Sequence, residues 1–185
     1  LFFRERLRLL SNTPSYRKGM VVLWLAIFAL CVQIALGGWT SANYAAVICH
    51  DFPSCYNNQW LPESNFKEAF TLSHPAGLNH EHGRLSPAAR IVVHMSHRLG
   101  ALITLVLLVS AMALIARRAR SLRLKTALII SLGLLAVQLG LGVSNVVFGL
   151  PLSVAVAHNG VAVLLLLSCL VLAMLVRKEP IPTKS

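Results

Sequence analysis

The chain alternates between long apolar stretches and shorter polar segments. Four stretches are predominantly apolar, at about residues 20–38, 91–116, 126–148 and 152–176. Each has about 20 residues or more, which as a helix is long enough to cross the ~30 Å of hydrocarbon in a bilayer. The pattern predicts an all-α fold: one integral membrane domain with a four-helix bundle and a long loop, residues 39–86, between the first two helices.

Composition and charge agree with a membrane protein. Of the 185 residues, 56% are hydrophobic and only 12% are charged. The net charge of +11 raises the question of nucleic acid, but no recognition motif accompanies it, so membrane lipid is the expected partner. Most basic residues precede the first span, lie between the second and third, or follow the fourth. This distribution predicts that both termini are cytoplasmic and that the 39–86 loop faces the outer side.

The ends of several helices are marked in the sequence. Ser86-Pro87 is typical of an N-cap followed by the first helical residue, and Gly149-Leu-Pro151 predicts a tight turn. Phe66 and Phe70 lie four residues apart and favour a short helix at the membrane surface. Because the chain begins with Leu1 rather than Met, we expect a further N-terminal portion.

The outer loop contains the residues Cys49-His-Asp-Phe-Pro-Ser-Cys55. If the topology is right, both cysteines face an oxidising compartment, where a disulfide is favoured. Free thiols, or a metal site that includes His50, are the alternatives. Three further histidines of the loop are either solvated or part of a metal site, although their spacing matches no strong pattern: His74, His80 and His82.

Two passages of the chain resemble each other. Val32–Gly37 (VQIALG) matches Val137–Gly142 (VQLGLG), and each closes an ascending span. His97 and His158 are each followed four residues later by alanine and then by an apolar run. Both histidines lie about 9 Å inside the predicted outer boundary, at 1.5 Å per helical residue. The sequence therefore predicts a duplicated helix pair whose second and fourth helices bring the two histidines face to face.

His94, His97 and Arg98 lie within about one turn at the start of an apolar helix. Ionisable side chains are costly at membrane depth, so this cluster indicates a functional site. Neutral imidazole is an axial ligand of heme iron, so His97 and His158 are predicted to bind heme. Alternatively, each histidine forms a hydrogen bond to a neighbouring helix. Arg98 either pairs with a heme propionate or reaches lipid headgroups. His94 either binds a propionate or a substrate, or is an ordinary interfacial residue.

These residues resemble a known family. Gln33–Tyr44 (QIALGGWTSANY), Cys49–Cys55 (CHDFPSC), His97–Ala101 (HRLGA) and His158 are similar to segments of the heme A synthases, which assist cytochrome oxidase assembly by oxidising a methyl group of heme O to a formyl group. The family has eight spans in two similar halves, and this chain resembles the C-terminal half. The resemblance implies an oxidoreductase as the full-length protein.

The resemblance also implies site residues. His97 and His158 would be the ligands of a heme b cofactor, and Cys49–Cys55 the disulfide of this half. The catalytic glutamate of the family belongs to the N-terminal half, and His94 stands at the matching position here, so no residue of this chain is assigned to catalysis. Heme O and heme A are implied as substrate and product. Heme O synthase or a second copy are the candidate protein partners, in a bacterial inner membrane with loop 39–86 on the periplasmic side.

Two other functions remain open at this stage. A four-helix b-type cytochrome would transfer electrons in the membrane, but such proteins more often carry two histidine pairs. A non-catalytic oxidase assembly factor would bind no heme, and its histidines would only pack between helices.

Overall fold

The computed structural model describes residues 14–71 and 84–178. Over these residues the chain forms five helices, which are α1 (Pro14–Ala42), α2 (Phe66–Ala69), α3 (Pro87–Ala116), α4 (Leu122–Val147) and α5 (Leu152–Lys178). All but the short α2 are long and apolar enough to cross a membrane. The described residues contain no β-strand, so the predicted all-α class with four spanning helices is confirmed.

The helix ends follow the signals in the sequence. Helix α3 begins after Ser86, whose Oγ accepts a hydrogen bond from the backbone N–H of Ala89 at 3.3 Å, as expected of an N-cap. Between α4 and α5 the chain turns at Gly149 and Leu150, which have φ of 67° and 63°. The N–H of Leu150 donates to the carbonyl of Asn145 at 2.7 Å and closes the end of α4. Both predicted boundaries are confirmed.

The described residues fall into two compact units. The first contains the described parts of Leu1–Cys31, Ile103–Gln138 and Gly160–Ser185. Its core is formed by buried aliphatic residues at helical spacing. On α1, for example, Leu23, Ala26, Ile27 and Leu30 are buried on one face of the helix. The opposite faces expose residues such as Phe28 and Ile129. A narrow buried stripe with exposed apolar surface elsewhere is the arrangement expected of helices in lipid.

The second unit contains the described parts of Val32–Leu102, together with Leu139–Asn159. Its loop is attached by specific contacts to the end of α1 and to the start of α3. The indole Nε1 of Trp39 donates to the carbonyl of Ala69 at 2.9 Å. The carboxylate of Glu68 accepts from the backbone N–H of Ser86 at 2.6 Å and from its hydroxyl at 2.7 Å. The unit also has a buried apolar cluster, against which Trp39 packs: Ala45, Ala69, Leu85, Ala89, Val92 and Val93.

Two predictions about the loop can be compared with this unit. The short helix expected near Phe66 is present as α2, with Asn65 as its N-cap. Helix α1 runs to Ala42, a few residues beyond the end of the apolar stretch at about residue 38, so the loop begins later than predicted. His74, His80 and His82 lie outside the described residues, as do the basic residues before Pro14. The predicted orientation in the membrane stays a prediction.

Candidate functional site

His97 projects from α3 towards the C-terminal half of α1. Its side chain is half-buried. The amide Nε2 of Gln33 on α1 donates to Nδ1 of His97 at 2.9 Å and to the backbone carbonyl of the same residue at 2.9 Å. Gln33 approaches this closely because residue 100, one turn beyond His97, is glycine, and a Cβ there would collide with Oε1 of Gln33. Gln33 therefore fixes both the ring and the backbone of His97.

Each of the two repeat-related histidines lies against a glycine of another helix. A Cβ built on Gly37 would lie 3.1 Å from Cε1 of His97. A Cβ built on Gly142 would lie 3.2 Å from Cε1 of His158. Gly37 and Gly142 occupy the same position in the two VQ-x-x-LG segments. The structure thus repeats one contact, a glycine behind an imidazole, at both places that the sequence repeat marks.

The two imidazoles belong to the same unit, and each remains half-buried. A neutral imidazole offers one lone pair, and two of them supply the two axial ligands of a heme iron. A separate metal centre has no support among the described residues, where no group of three or more His, Cys, Asp or Glu side chains is placed to hold an ion.

Arg98 binds the loop between α1 and α3. Its Nη1 donates to the carbonyls of Asp51 at 2.9 Å, Pro53 at 3.2 Å and Ser54 at 2.6 Å. Its Nη2 donates to the carbonyl of Cys49 at 3.3 Å. The guanidinium also lies 5.7 Å from the ring centre of Phe52, within the range of a cation–π contact. Sequence reasoning did not find this role, because backbone carbonyls leave no mark in a sequence.

His94 is the most buried of the candidate heme-binding residues, with 4% of its surface exposed. Its Nδ1–H donates to the carbonyl of Ala45 at 2.8 Å, which leaves Nε2 as an acceptor. Since Ala45 follows the end of α1, this bond connects the start of the loop to α3. His94 is therefore a structural contact of the loop as well as a candidate for binding a ligand.

Cys49 and Cys55 form a disulfide with an S–S distance of 2.03 Å. Both residues are buried, and they pack on α3 at Ile91 and Met95. The remaining cysteines, Cys31 and Cys169, are free thiols on the long helices. The proposed pairing in the sequence thus agrees with the structure, and the alternative of a metal site with His50 has no support among the described residues.

Comparisons with known proteins give a consistent relationship. The model of a family described as cytochrome oxidase assembly protein matches residues 3–170. A heme A synthase from Shewanella oneidensis is 40% identical over 169 residues, which cover 91% of this chain and 50% of that protein. Heme A synthases from Halalkalibacterium halodurans and Neorickettsia sennetsu are 29% and 28% identical over 92% and 85% of this chain.

These matches are partial on the side of the relatives. The chain spans about half the length of the curated relatives it matches, with 51% and 45% of the second and third covered, and it corresponds to their C-terminal half. No solved structure gives a significant match. These matches establish the family of the chain, and the roles of individual residues are argued below from the contacts that they make.

Proposed function

Because the chain belongs to the cytochrome oxidase assembly protein family, we propose that it is the heme b-binding half of a heme A synthase. In this proposal the full-length protein is an oxidoreductase that converts the methyl group of heme O to the formyl group of heme A. The relatives that carry the name heme A synthase support the reaction. The observation that carries the cofactor role is the repeated contact of a glycine with an imidazole, at Gly37–His97 and at Gly142–His158.

The described residues fit such a cofactor. His97 and His158 would bind the iron, since they are neutral nitrogen donors in one unit and neither ring is fully enclosed by protein. The glycines leave the space in which each imidazole lies, and any side chain there would displace the ring. When bound, a bis-histidine heme b supplies one-electron transfer. The protein's own contribution is to hold the two rings in fixed orientations, which Gln33 does for His97.

The amide of Gln33 bears directly on which nitrogen of His97 binds iron. As described, Nδ1 accepts a hydrogen bond from Gln33, so the ring proton lies on Nε2. Ligation through Nε2 requires the opposite tautomer, with the proton on Nδ1. Oε1 of Gln33 is buried and has no hydrogen-bond partner. In the tautomer with the proton on Nδ1, this oxygen would accept the hydrogen bond after rotation of the amide, and the bond from Nε2 of Gln33 to the backbone carbonyl of His97 would be given up.

Arg98 and His94 would contribute next to the heme edge. The Nη groups of Arg98 bind loop carbonyls, but its Nε is buried without a hydrogen-bond partner. An arginine with an unsatisfied N–H is suited to a carboxylate such as a propionate. His94 would act through Nε2, because its Nδ1 is bound to Ala45. The pairing of either residue with a propionate is part of this proposal.

The proposal also includes location and partners. A disulfide persists in an oxidising compartment, which supports an outer, periplasmic position for the loop and an inner-membrane location for the protein. Heme O would be the substrate of the full-length protein. Heme O synthase, or a second copy of the chain, would be its protein partner.

Optical spectroscopy of the purified full-length protein tests the cofactor role. We expect a low-spin b-type signal in the reduced-minus-oxidised difference spectrum, with a matching pyridine hemochrome. His97→Ala and His158→Ala should each abolish most of the signal. His50→Ala is the matched control, because His50 is exposed in the loop and should leave the heme content unchanged. Heme that stays low-spin in both ligand variants would overturn the bis-histidine assignment.

A second assay separates the reaction from the cofactor. The wild-type full-length protein should form heme A from heme O in membranes that lack any other heme A synthase. A protein that binds heme b but forms no heme A would instead be a b-type cytochrome. A protein that is folded but binds no heme would be an assembly factor.

A further inference from the structure

Arg98 connects the disulfide loop to the helix turn that carries His97. It follows His97 directly in α3, and its guanidinium reaches the carbonyls of Cys49, Asp51, Pro53 and Ser54. These four acceptors all lie within the ring of chain that the Cys49–Cys55 disulfide closes. One side chain of α3 thus binds nearly the whole of this small ring, hereafter the disulfide ring (residues 49–55).

The disulfide ring is held to α3 at a second place. Cys49 and Cys55 are 2% and 0% exposed and pack against Ile91 and Met95, which lie about two turns and one turn before Arg98, respectively. The ring therefore covers one face of the outer part of α3. Its apolar side, at the sulfur atoms, is fixed by packing, and its carbonyl side is fixed by Arg98.

The hydrogen bonds made by Arg98 come from a charged guanidinium donor. Hydrogen bonds from a charged donor contribute more than neutral ones, and they depend on the acceptors being presented together. A closed disulfide keeps the four carbonyls in one arrangement, since it removes most of the freedom of the intervening residues. An open ring would present these acceptors only part of the time. Arg98 is thus a polar connection between the disulfide and α3, beside the packing of the two cysteines on Ile91 and Met95.

We propose that Arg98 is a positioning residue that couples the disulfide ring to the orientation of His97. The closed ring holds the guanidinium, the guanidinium holds its turn of α3, and that turn carries the imidazole. This inference rests on the proposed function where it concerns the heme. The hold of Arg98 on the disulfide ring is independent of any cofactor, so the two parts can be tested separately.

The first test measures how readily the disulfide is reduced. The full-length protein is treated with dithiothreitol, which transfers two electrons and two protons to the disulfide and becomes a cyclic disulfide itself. The new thiols of Cys49 and Cys55 are trapped by alkylation and followed by mass spectrometry. Arg98→Gln should accelerate reduction about tenfold, because the buried disulfide opens more often once the charged hydrogen bonds are lost.

Two further variants make this result specific. Arg84→Gln removes a positive charge from an exposed loop position and should reduce at the wild-type rate. Arg98→Lys keeps the charge but lacks the fork that reaches four carbonyls, so its rate should lie nearer to that of Arg98→Gln. If both Arg98 variants reduce at the wild-type rate, Arg98 does not hold the disulfide ring and the inference is wrong, whatever the heme content.

The second test uses the heme midpoint potential and EPR spectrum in a cycle of variants. Arg98→Gln and the double variant Cys49→Ser/Cys55→Ser should each shift these signals. If Arg98 transmits the effect of the disulfide, the triple variant should shift no further than the larger of the two. Additive shifts would overturn the coupling. A wild-type protein without heme would refute the proposed function instead, while the reduction rates would still decide whether Arg98 holds the ring.

Discussion

Gly142 lies directly behind the imidazole of His158, where a Cβ would stand only 3.2 Å from Cε1. The corresponding distance at Gly37 and His97 is 3.1 Å. The two contacts are made by different helices, α4 with α5 and α1 with α3. Their equivalence shows that the sequence repeat is also a repeat of local geometry. It further identifies two glycines whose substitution should act on the histidines alone.

Gly37→Ala and Gly142→Ala should each disturb their imidazole. The added methyl group must displace the ring by a few tenths of an ångström, and such overpacking costs about 1–3 kcal/mol. We expect a shifted or weakened low-spin heme spectrum in each variant. Gly38→Ala and Gly140→Ala are matched controls, because a Cβ at either position meets nothing within 4 Å. Equal spectra in all four variants would contradict the assigned contact.

Gln33→Glu should lower the midpoint potential of the heme. A carboxylate at this place accepts the hydrogen bond from Nδ1–H of His97, which raises the basicity of the ligand and favours the ferric state. The change is read in a redox titration of the purified protein. Ser41→Glu adds the same charge at an exposed position further along α1 and should have a smaller effect. A potential that rises in Gln33→Glu would argue against Nδ1 as the bonded nitrogen.

His94→Leu should destabilise the attachment of the loop. The carbonyl of Ala45 loses the hydrogen bond from Nδ1–H of His94 and keeps only the longer one from the backbone N–H of Ile48 at 3.3 Å, which costs about 1 kcal/mol. The loss is measured as a lower midpoint of thermal unfolding in detergent and faster proteolysis of the 43–65 region. His50→Leu, at an exposed position of the same loop, should leave both quantities unchanged. An unaffected His94→Leu protein would show that the bond to Ala45 contributes little.

Glu68→Gln should weaken the start of α3. The carboxylate accepts from both the N–H and the hydroxyl of Ser86, and replacing it by a neutral amide that carries one acceptor fewer costs about 1 kcal/mol. Hydrogen exchange of the first amides of α3 should become faster. Glu63→Gln, an exposed carboxylate of the same loop, serves as control. Unchanged exchange in Glu68→Gln would exclude this carboxylate as a cap of α3.

The topology can be tested by labelling single cysteines. In a variant whose native free thiols are replaced, Glu63→Cys should react with a membrane-impermeant maleimide added to spheroplasts. Arg123→Cys, at the start of α4, should react only after the membrane is opened. The expected asymmetry follows from the basic residues that flank the spans on one side. The reverse pattern would invert the predicted orientation.

The sequence by itself determined the helices and much of the site. Apolar stretches of sufficient length specify membrane helices, because backbone groups in lipid must find partners within the same segment. Local signals fixed the start of α3 at Pro87 and the turn at Gly149. The repeat at Gly37 and Gly142, together with His97 and His158, selected the residues that the structure then brought into matching contacts.

Only the tertiary structure decided what surrounds these residues. The attachment of Arg98 to the disulfide ring, of His94 to Ala45 and of Glu68 to Ser86 all join positions far apart in the chain or use backbone carbonyls. Every residue carries the same backbone carbonyl group, so the residue type at a position cannot show that its carbonyl is the acceptor. The sequence thus specifies which side chains are costly to bury in a membrane, and the fold decides which partners satisfy them.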